Sequence, residues 1–297
     1  MIVSQRRPRS AGGNTEGSGT AVRPFLRWAG SKRSLLPTLA SIIPPFKRYI
    51  EPFAGSACLF FRIQPKKAML GDLNSELIRT YRAVRNEPKL VGHLLNAMPN
   101  TSEFYYSLRQ EDPSGMHAIE RAARFLYLNR HCFNGVYRTN RQGQFNVPRG
   151  VKTGTPPSTA DLLACSACLK RASLFSGDFG KLAEEATSGD FVYLDPPYPS
   201  KLRSTHGEYG YGAFADSDLP RLIEALRIID AAGAKFILSY IDTPKTTPLF
   251  RPWGICKVTT QKHVSGFAKH RSAISELLVS NYRLGPTPEA KRHAAVI

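Results

Sequence analysis

Acidic side chains are scarce in this chain. Its 297 residues hold 23 Asp and Glu against 41 Lys and Arg, a formal net charge of +18 at pH 7. Most of the positive charge is therefore uncompensated, and such an excess favours a polyanionic partner, because each neutralised phosphate releases condensed counterions. Arg6, Arg7, Arg9 and Arg23 near the start contribute, but much of the excess lies inside the chain. Cysteine is scarce too: five residues, an odd number without a framework of spacings. That excludes a disulfide scaffold and points to a reducing cytoplasm. Cys165 and Cys168 form a CxxC pair, but no second pair with zinc spacing accompanies it and residues 160–170 read as a helix. The two thiols are read as small packed side chains, and no metal site is expected. Runs of about 18 apolar residues are missing, as is the apolar stretch of a signal peptide. The expectation is a soluble, cytoplasmic protein with no membrane association.

What is present is an apolar content of 42%, enough for one substantial core carrying an inserted lobe. Residues 1–22 are rich in Ser, Gly, Thr and Arg and read as a disordered basic tail; 285–297 read as a flexible one. Between them, short apolar strands at 49–50, 68–70, 172–175, 191–194 and 236–239 alternate with amphipathic helices. The clearest helix spans 219–232, with Ser217 or Asp218 as its N-cap. Residues 273–279 read as a late, antiparallel strand. Continuous apolar strands separated by helices imply a parallel sheet covered on both faces, in which ligands gather beyond the carboxyl ends of the strands. Asp72, Asp178 and Asp195 all fall there. The alternation breaks at 76–158, which is read as an inserted, mainly helical lobe. Within it, residues 121–152 hold seven Arg and Lys and no Asp or Glu. Phe133, Tyr137 and Phe145 lie among them, with the amides Asn129, Asn134, Asn140, Gln142 and Asn146. Charge for phosphates, amides for base edges and rings for stacking together suit nucleic acid; a solvated charged face is the alternative.

Asp195-Pro196-Pro197-Tyr198 is the most specific element. An amine conjugated to a purine ring is a poor nucleophile, because its lone pair is delocalised. The Asp195 carboxylate and the Pro196 main-chain oxygen, both accepting its N–H groups, can aim that lone pair. The two prolines fix the turn, and Tyr198 offers a ring face on which an extruded base can stack. Catalysis of this kind is positioning and electrostatics without a covalent intermediate. An ordinary turn after a buried strand is the other reading of the same four residues. Phe53-Ala54-Gly55-Ser56 reads as a tight turn from strand to helix, where Gly55 permits close backbone approach. Asp72 follows Gly55 by 17 residues, near the spacing of about 20 at which an acid accepts ribose hydroxyls from an adenosine-type cofactor. A third element, 25–32, precedes a helix ending near Ile43. Taken singly, its Trp28 reads as a core aromatic and its Lys32 as a surface charge.

Together these elements resemble the Dam family, or D12 class, of N6-adenine DNA methyltransferases. Arg27-Trp28-Ala29-Gly30-Ser31-Lys32 is similar to the family's K-W-A-G-G-K, and Glu51-Pro52-Phe53-Ala54-Gly55 to its E-P-F-x-G turn. Asp72-Leu73-Asn74 followed by Leu77 and Tyr81 is similar to D-x-N-x-x-L. Residues 128–138 and 143–148 resemble the recognition loop, Asp195-Pro196-Pro197-Tyr198 the catalytic motif, and Glu276-Leu277-Leu278 the late strand. The match spans roughly 25–282, in the family's order.

The resemblance implies a Rossmann-like S-adenosylmethionine-dependent methyltransferase sheet at 23–75 and 159–284, with 76–158 as target-recognition domain. It implies that Trp28, Lys32, Phe53, Gly55, Asp72 and Asp195 line the cofactor site, with Asp178 and Phe179 flanking the adenine. Arg138 falls where the family has a guanine-reading arginine, and Phe133 where an aromatic inserts near the target. Arg27, Arg130, Asn134, Asn140 and Arg149 complete the expected DNA contacts.

The expected reaction is methylation of adenine N6 in double-stranded DNA by base flipping, by a monomer beside a separately encoded restriction endonuclease, with GATC as the default target. Adenine in RNA and a catalytically silent DNA-binding relative are the alternatives. Methyltransferases acting on glutamine amides show Asn-Pro-Pro-Tyr, and cytosine-N4 enzymes carry Ser before the prolines; Asp195 argues against both. Ser31 and Ala57 stand where the family has glycines, Arg27 where lysine is common, and Arg149 where an aromatic often follows the Val-Pro pair.

Overall fold

The computed structural model describes residues 22–151, 153–198, 214–261 and 273–285. Apart from Val22 and Gly285, the tails expected at 1–22 and 285–297 lie outside the described residues. Among those described, seven strands form one sheet: β1 (Arg48–Glu51), β2 (Ala68–Asp72), β3 (Ala172–Ser176), β4 (Asp190–Leu194), β5 (Lys235–Ile241), β6 (Gly254–Gln261) and β7 (Ala273–Ser280). Their order across the sheet is β3-β2-β1-β4-β5-β7-β6. The first five pair in parallel, and β7 runs antiparallel to both β5 and β6. β4 is buried at every residue, as its unbroken apolar run requires of a central strand covered on both faces. The order reverses direction between β1 and β4, and this switch point opens the cleft beyond the strand ends.

All the expected strands are present, and the sequence reading missed β6. It is an edge strand pairing with β7, so no second neighbour requires a continuous apolar run, and Gly254 to Gln261 mixes Lys and Thr with its apolar residues.

The helices are α1 (Leu36–Ile42), α2 (Cys58–Ile63), α3 (Ser75–Asn86), α4 (Pro88–Ala97), α5 (Ser102–Gln110), α6 (Ala118–His131), α7 (Thr159–Leu169), α8 (Phe179–Glu184) and α9 (Leu219–Ala231). Capping explains several starts. The Asn74 side chain accepts from Leu77 N–H, and Thr101 from Phe104 N–H. Ser158 and Asp161 form a reciprocal capping box on α7. Asp218 does occupy the N-cap of α9, but its carboxylate accepts from Ala215 N–H and pairs with Arg221 instead of bonding the helix.

Helices α3–α6 fill the stretch 76–131, and one apolar cluster runs from Tyr49, Leu70 and Phe191 of the sheet to Leu95, Tyr105 and Tyr127 of these helices. The inserted helices are thus seated on the same core as the sheet. After α6 the chain forms a finger: Thr139 and Phe145 pair as an antiparallel bridge, closed by Asn140 N–H to Gln144 O at 2.9 Å. Cys165 and Cys168 are buried in α7, packed as small side chains.

Candidate active site

A cavity of about 460 Å³ opens beyond the carboxyl ends of β1, β2 and β4, and every residue expected at the cofactor and catalytic sites lines it. Three carboxyl groups enter it from adjacent strands, each held by different partners. Asp72, closing β2, accepts Gly55 N–H at 3.0 Å and Asn74 N–H at 2.9 Å. Burial nevertheless pushes it up to about 6, because the two backbone bonds offset only part of the desolvation. Glu51, ending β1, accepts the Tyr49 hydroxyl at 3.0 Å. Burial drives it well above the carboxylate range, and the charges of Asp195 and Asp72 push the same way. Asp195, just past β4, takes the Lys32 ammonium at 2.6 Å.

Lys32 is only 7% exposed. Burial works against its charge, but Asp195 foremost, then Tyr198 and Glu276, outweigh it and hold the ammonium well above its ordinary value. The same nitrogen lies 4.9 Å over the Tyr198 ring and donates to Gly30 O at 3.3 Å. Read alone, Lys32 suits a surface charge; the structure buries it against the two ends of the Asp195–Tyr198 tetrapeptide. Tyr198 is buried edge-on to Tyr240 at 5.7 Å, and Pro196 and Pro197 line the cavity between.

The turn after β1 shows why small residues stand there. Gly55 has φ +47°, and a Cβ would come within 2.8 Å of the Trp28 ring. The close approach foreseen for a ligand is made first by this indole, which stacks on Tyr137 at 5.9 Å. Tyr81 donates to Gly55 O at 2.7 Å. Ala57, where the family has glycine, sits at φ +48°, so the position needs a left-handed residue and alanine holds it under strain. Ser31, the other departure, brings its hydroxyl to Cys58 Sγ at 3.1 Å.

At the far end of the cavity Phe53 and Phe179 face each other at 5.0 Å, tilted by 30°. Phe214 packs 6.1 Å from both. Asp178 caps α8 through Gly180 N–H and receives Arg221 at 2.7 Å, whose guanidinium covers the Phe179 ring at 5.0 Å. Sequence reasoning missed Phe214 and Arg221. Neither belongs to a motif, and both arrive from a distant part of the chain.

The residues expected to touch DNA lie outside this cavity, on and around the finger. Arg27, Arg130 and Arg149 form a cationic cluster: Arg27 Nη1 donates to Arg130 O at 3.2 Å, and Arg149 Nη2 to Asn100 Oδ1 at 2.8 Å. Their field is visible at buried His131, pushed down to about 4 by burial and by Arg149, Arg130 and Arg27 in turn. Asn129 ties Arg27 down from both sides, accepting its N–H at 2.9 Å and donating to its carbonyl at 2.7 Å. Phe133 is 48% exposed, and Asn134 beside it is left-handed at φ +54°. Asn140 is engaged internally: its Oδ1 accepts from Gln142 and Gln144 N–H, and its Nδ2 donates to Gln144 Oε1. Arg138 reaches Asn146 across the finger. Tyr137, Thr139 and Gly143 of the finger line the mouth of the 460 Å³ cavity, so the two surfaces meet.

No helix among the described residues is long and apolar enough to cross a membrane. Comparison with known proteins gives one consistent result. The family model for D12 class N6 adenine-specific DNA methyltransferases matches residues 28–264. A type II methyltransferase of Lactococcus lactis subsp. cremoris, M1.LlaDCHI, is 37% identical over 88% of this chain and 96% of its own. The type II methyltransferase M.MjaIII of Methanocaldococcus jannaschii is 33% identical over 88% and 99%. A DNA adenine methylase of Vibrio cholerae is 30% identical over 86% and 95%. With its Asp-Pro-Pro-Tyr tetrapeptide at the end of β4, its glycine turn after β1 and its basic finger, the chain belongs to the D12 class of N6 adenine-specific DNA methyltransferases.

Proposed function

We propose that this enzyme uses S-adenosylmethionine to methylate adenine N6 in double-stranded DNA, with the base turned out of the helix into the cleft between the finger and Tyr198. The observation that carries the reading is the convergence of Asp195, Lys32 and Tyr198 in a cavity that also holds Asp72 and the Phe53–Phe179 pair. The cavity fits such a methyl donor. Phe53 and Phe179 suit an adenine ring, Asp72 is an acceptor aimed at ribose hydroxyls, and a Cβ at Gly55 would crowd the Trp28 wall. When bound, the sulfonium supplies an electrophilic methyl group.

The chain's own residues do the rest. Asp195 is the acceptor for an adenine N–H, and the Pro196 carbonyl is the second, so together they turn the nitrogen lone pair out of conjugation. Lys32 keeps Asp195 ionised and ready to accept. Being held cationic, it cannot take the proton the amine loses, which leaves through Asp195 or solvent. Tyr198 stacks on the base, Arg27, Arg130 and Arg149 meet phosphates, and Arg138 reads a base. Residues 76–158 act as the recognition domain. The name type II methyltransferase carried by two relatives supports a role beside a separately encoded endonuclease, and the enzyme acts as a monomer.

The test is methyl transfer from labelled S-adenosylmethionine to duplex DNA, followed by digestion to nucleosides. Label in N6-methyladenine with DNA, and far less with RNA of the same sequence, is expected. Label in cytosine, or equal labelling of RNA, would overturn the reading.

A further inference from the structure

Arg138 and Asn146 stand opposite one another on the finger, flanking the Thr139–Phe145 bridge. Three hydrogen bonds join them. Asn146 N–H donates to Arg138 O at 3.1 Å, Arg138 Nε donates to Asn146 Oδ1 at 2.8 Å, and Arg138 Nη2 donates to Asn146 O at 3.4 Å. A guanidinium is a rigid fork with two double-donor edges. One is the side edge, made by Nε–H and one Nη2 hydrogen. The other is the end edge, made by the second Nη2 hydrogen and Nη1. Asn146 occupies the side edge. The end edge keeps two parallel N–H bonds, the pattern that matches O6 and N7 of guanine in the major groove.

The finger that carries this pair is braced on both sides. Tyr137, next to Arg138, packs against Trp28, Phe125 and Phe145 at 5.9, 5.5 and 5.7 Å. At the tip, Asn140 closes the turn through Gln142 and Gln144 N–H. No Asp or Glu occurs between 121 and 152, so no carboxylate of the finger competes with a base for the end edge.

We propose that Asn146 is a positioning residue for sequence recognition: it clamps the side edge of Arg138 so that the end edge is presented to a single guanine. This rests on Arg138 being a base-reading residue. Without the clamp the long side chain regains its rotamer freedom, and the fork no longer discriminates that base sharply.

The test maps methylated adenines at base resolution on the chromosome of a host lacking its own adenine methylation. The host expresses the wild type, Arg138→Ala, Asn146→Ala, the double variant, or Asn146→Asp. Arg138→Ala should relax one base pair of the context by about tenfold or more. Asn146→Ala should relax the same base pair, by roughly three- to tenfold, and the double variant should go no further than Arg138→Ala, as coupled residues do. Asn146→Asp keeps the acceptor and should keep the context. Should Asn146→Ala melt early, Asn146→Ser, too short to reach Nε, carries the same expectation. A uniform fall across all contexts in Asn146→Ala, or relaxation at another base pair, would overturn the clamp while leaving Arg138 as the reader. No relaxation in Arg138→Ala would overturn both.

Discussion

The two strand ends that flank β1 hold their carboxylates by different means. At the end of β2, Asp72 is fixed by the backbone N–H groups of Gly55 and Asn74; past the end of β4, Asp195 is fixed by the Lys32 ammonium. Backbone donors fix direction without bringing a full charge, so Asp72 is left titrating at about 6. An ammonium brings the charge, so Asp195 faces a full positive partner, and Lys32 is itself held well above its ordinary value by Asp195. The pattern suits the proposed roles. An acceptor for neutral hydroxyls needs aim, whereas an acceptor that must polarise an amine needs its negative charge secured.

Breaking the β4 side should have the largest effect. Asp195→Ala should lower the single-turnover rate on the order of a thousandfold, as loss of a key transition-state partner does, while DNA affinity stays near wild type by anisotropy. Lys32→Met sharpens the comparison. Without its counter-ion, and with Glu51, Tyr193 and Tyr198 around it, Asp195 becomes harder to ionise. The acid limb of the pH–rate profile should therefore move up by about one unit or more, and Lys32→Arg should restore it in part. An unmoved limb would make Lys32 a structural or cofactor contact alone.

The β2 side should respond to pH through cofactor affinity. Burial raises Asp72 to about 6, so the ionised acceptor is fully present above that value and is lost as pH falls through it. Calorimetry with S-adenosylmethionine should give a flat affinity down to about pH 6, then a loss approaching tenfold per unit below it. Asp72→Asn should bind more weakly above about pH 6, converge with the wild type below it, and show no such break. The smallest effect belongs to the turn between the two strand ends. Ala57→Gly relieves a left-handed alanine and should stabilise by about 1 kcal/mol, read as a rise of a few degrees in melting temperature.

How legible each part was follows from what constrains it. Interior strands such as β1, β4 and β5 could be read because strands covered on both faces are largely apolar, and edge strand β3 because it keeps the short apolar run Leu174-Phe175, whereas edge strand β6 mixes Lys and Thr into its sequence. Asp195, Asp72 and Gly55 could be read because their chemistry demands one residue type at one place. Trp28 and Lys32 were ambiguous alone, since each also suits a bland role, and only the meeting of the 25–32 segment with Asp195, Tyr198 and Gly55 decides it. Phe214, Arg221 and the Arg138–Asn146 clamp depend on side chains approaching through space, which short-range pattern does not encode.

The most direct test of the central claim is a base-resolved map of N6-methyladenine in DNA from cells expressing this enzyme and from cells expressing Asp195→Ala. The account predicts methylation in one sequence context for the wild type and none above background for the variant. Methylation of that context by Asp195→Ala at near wild-type levels would contradict it.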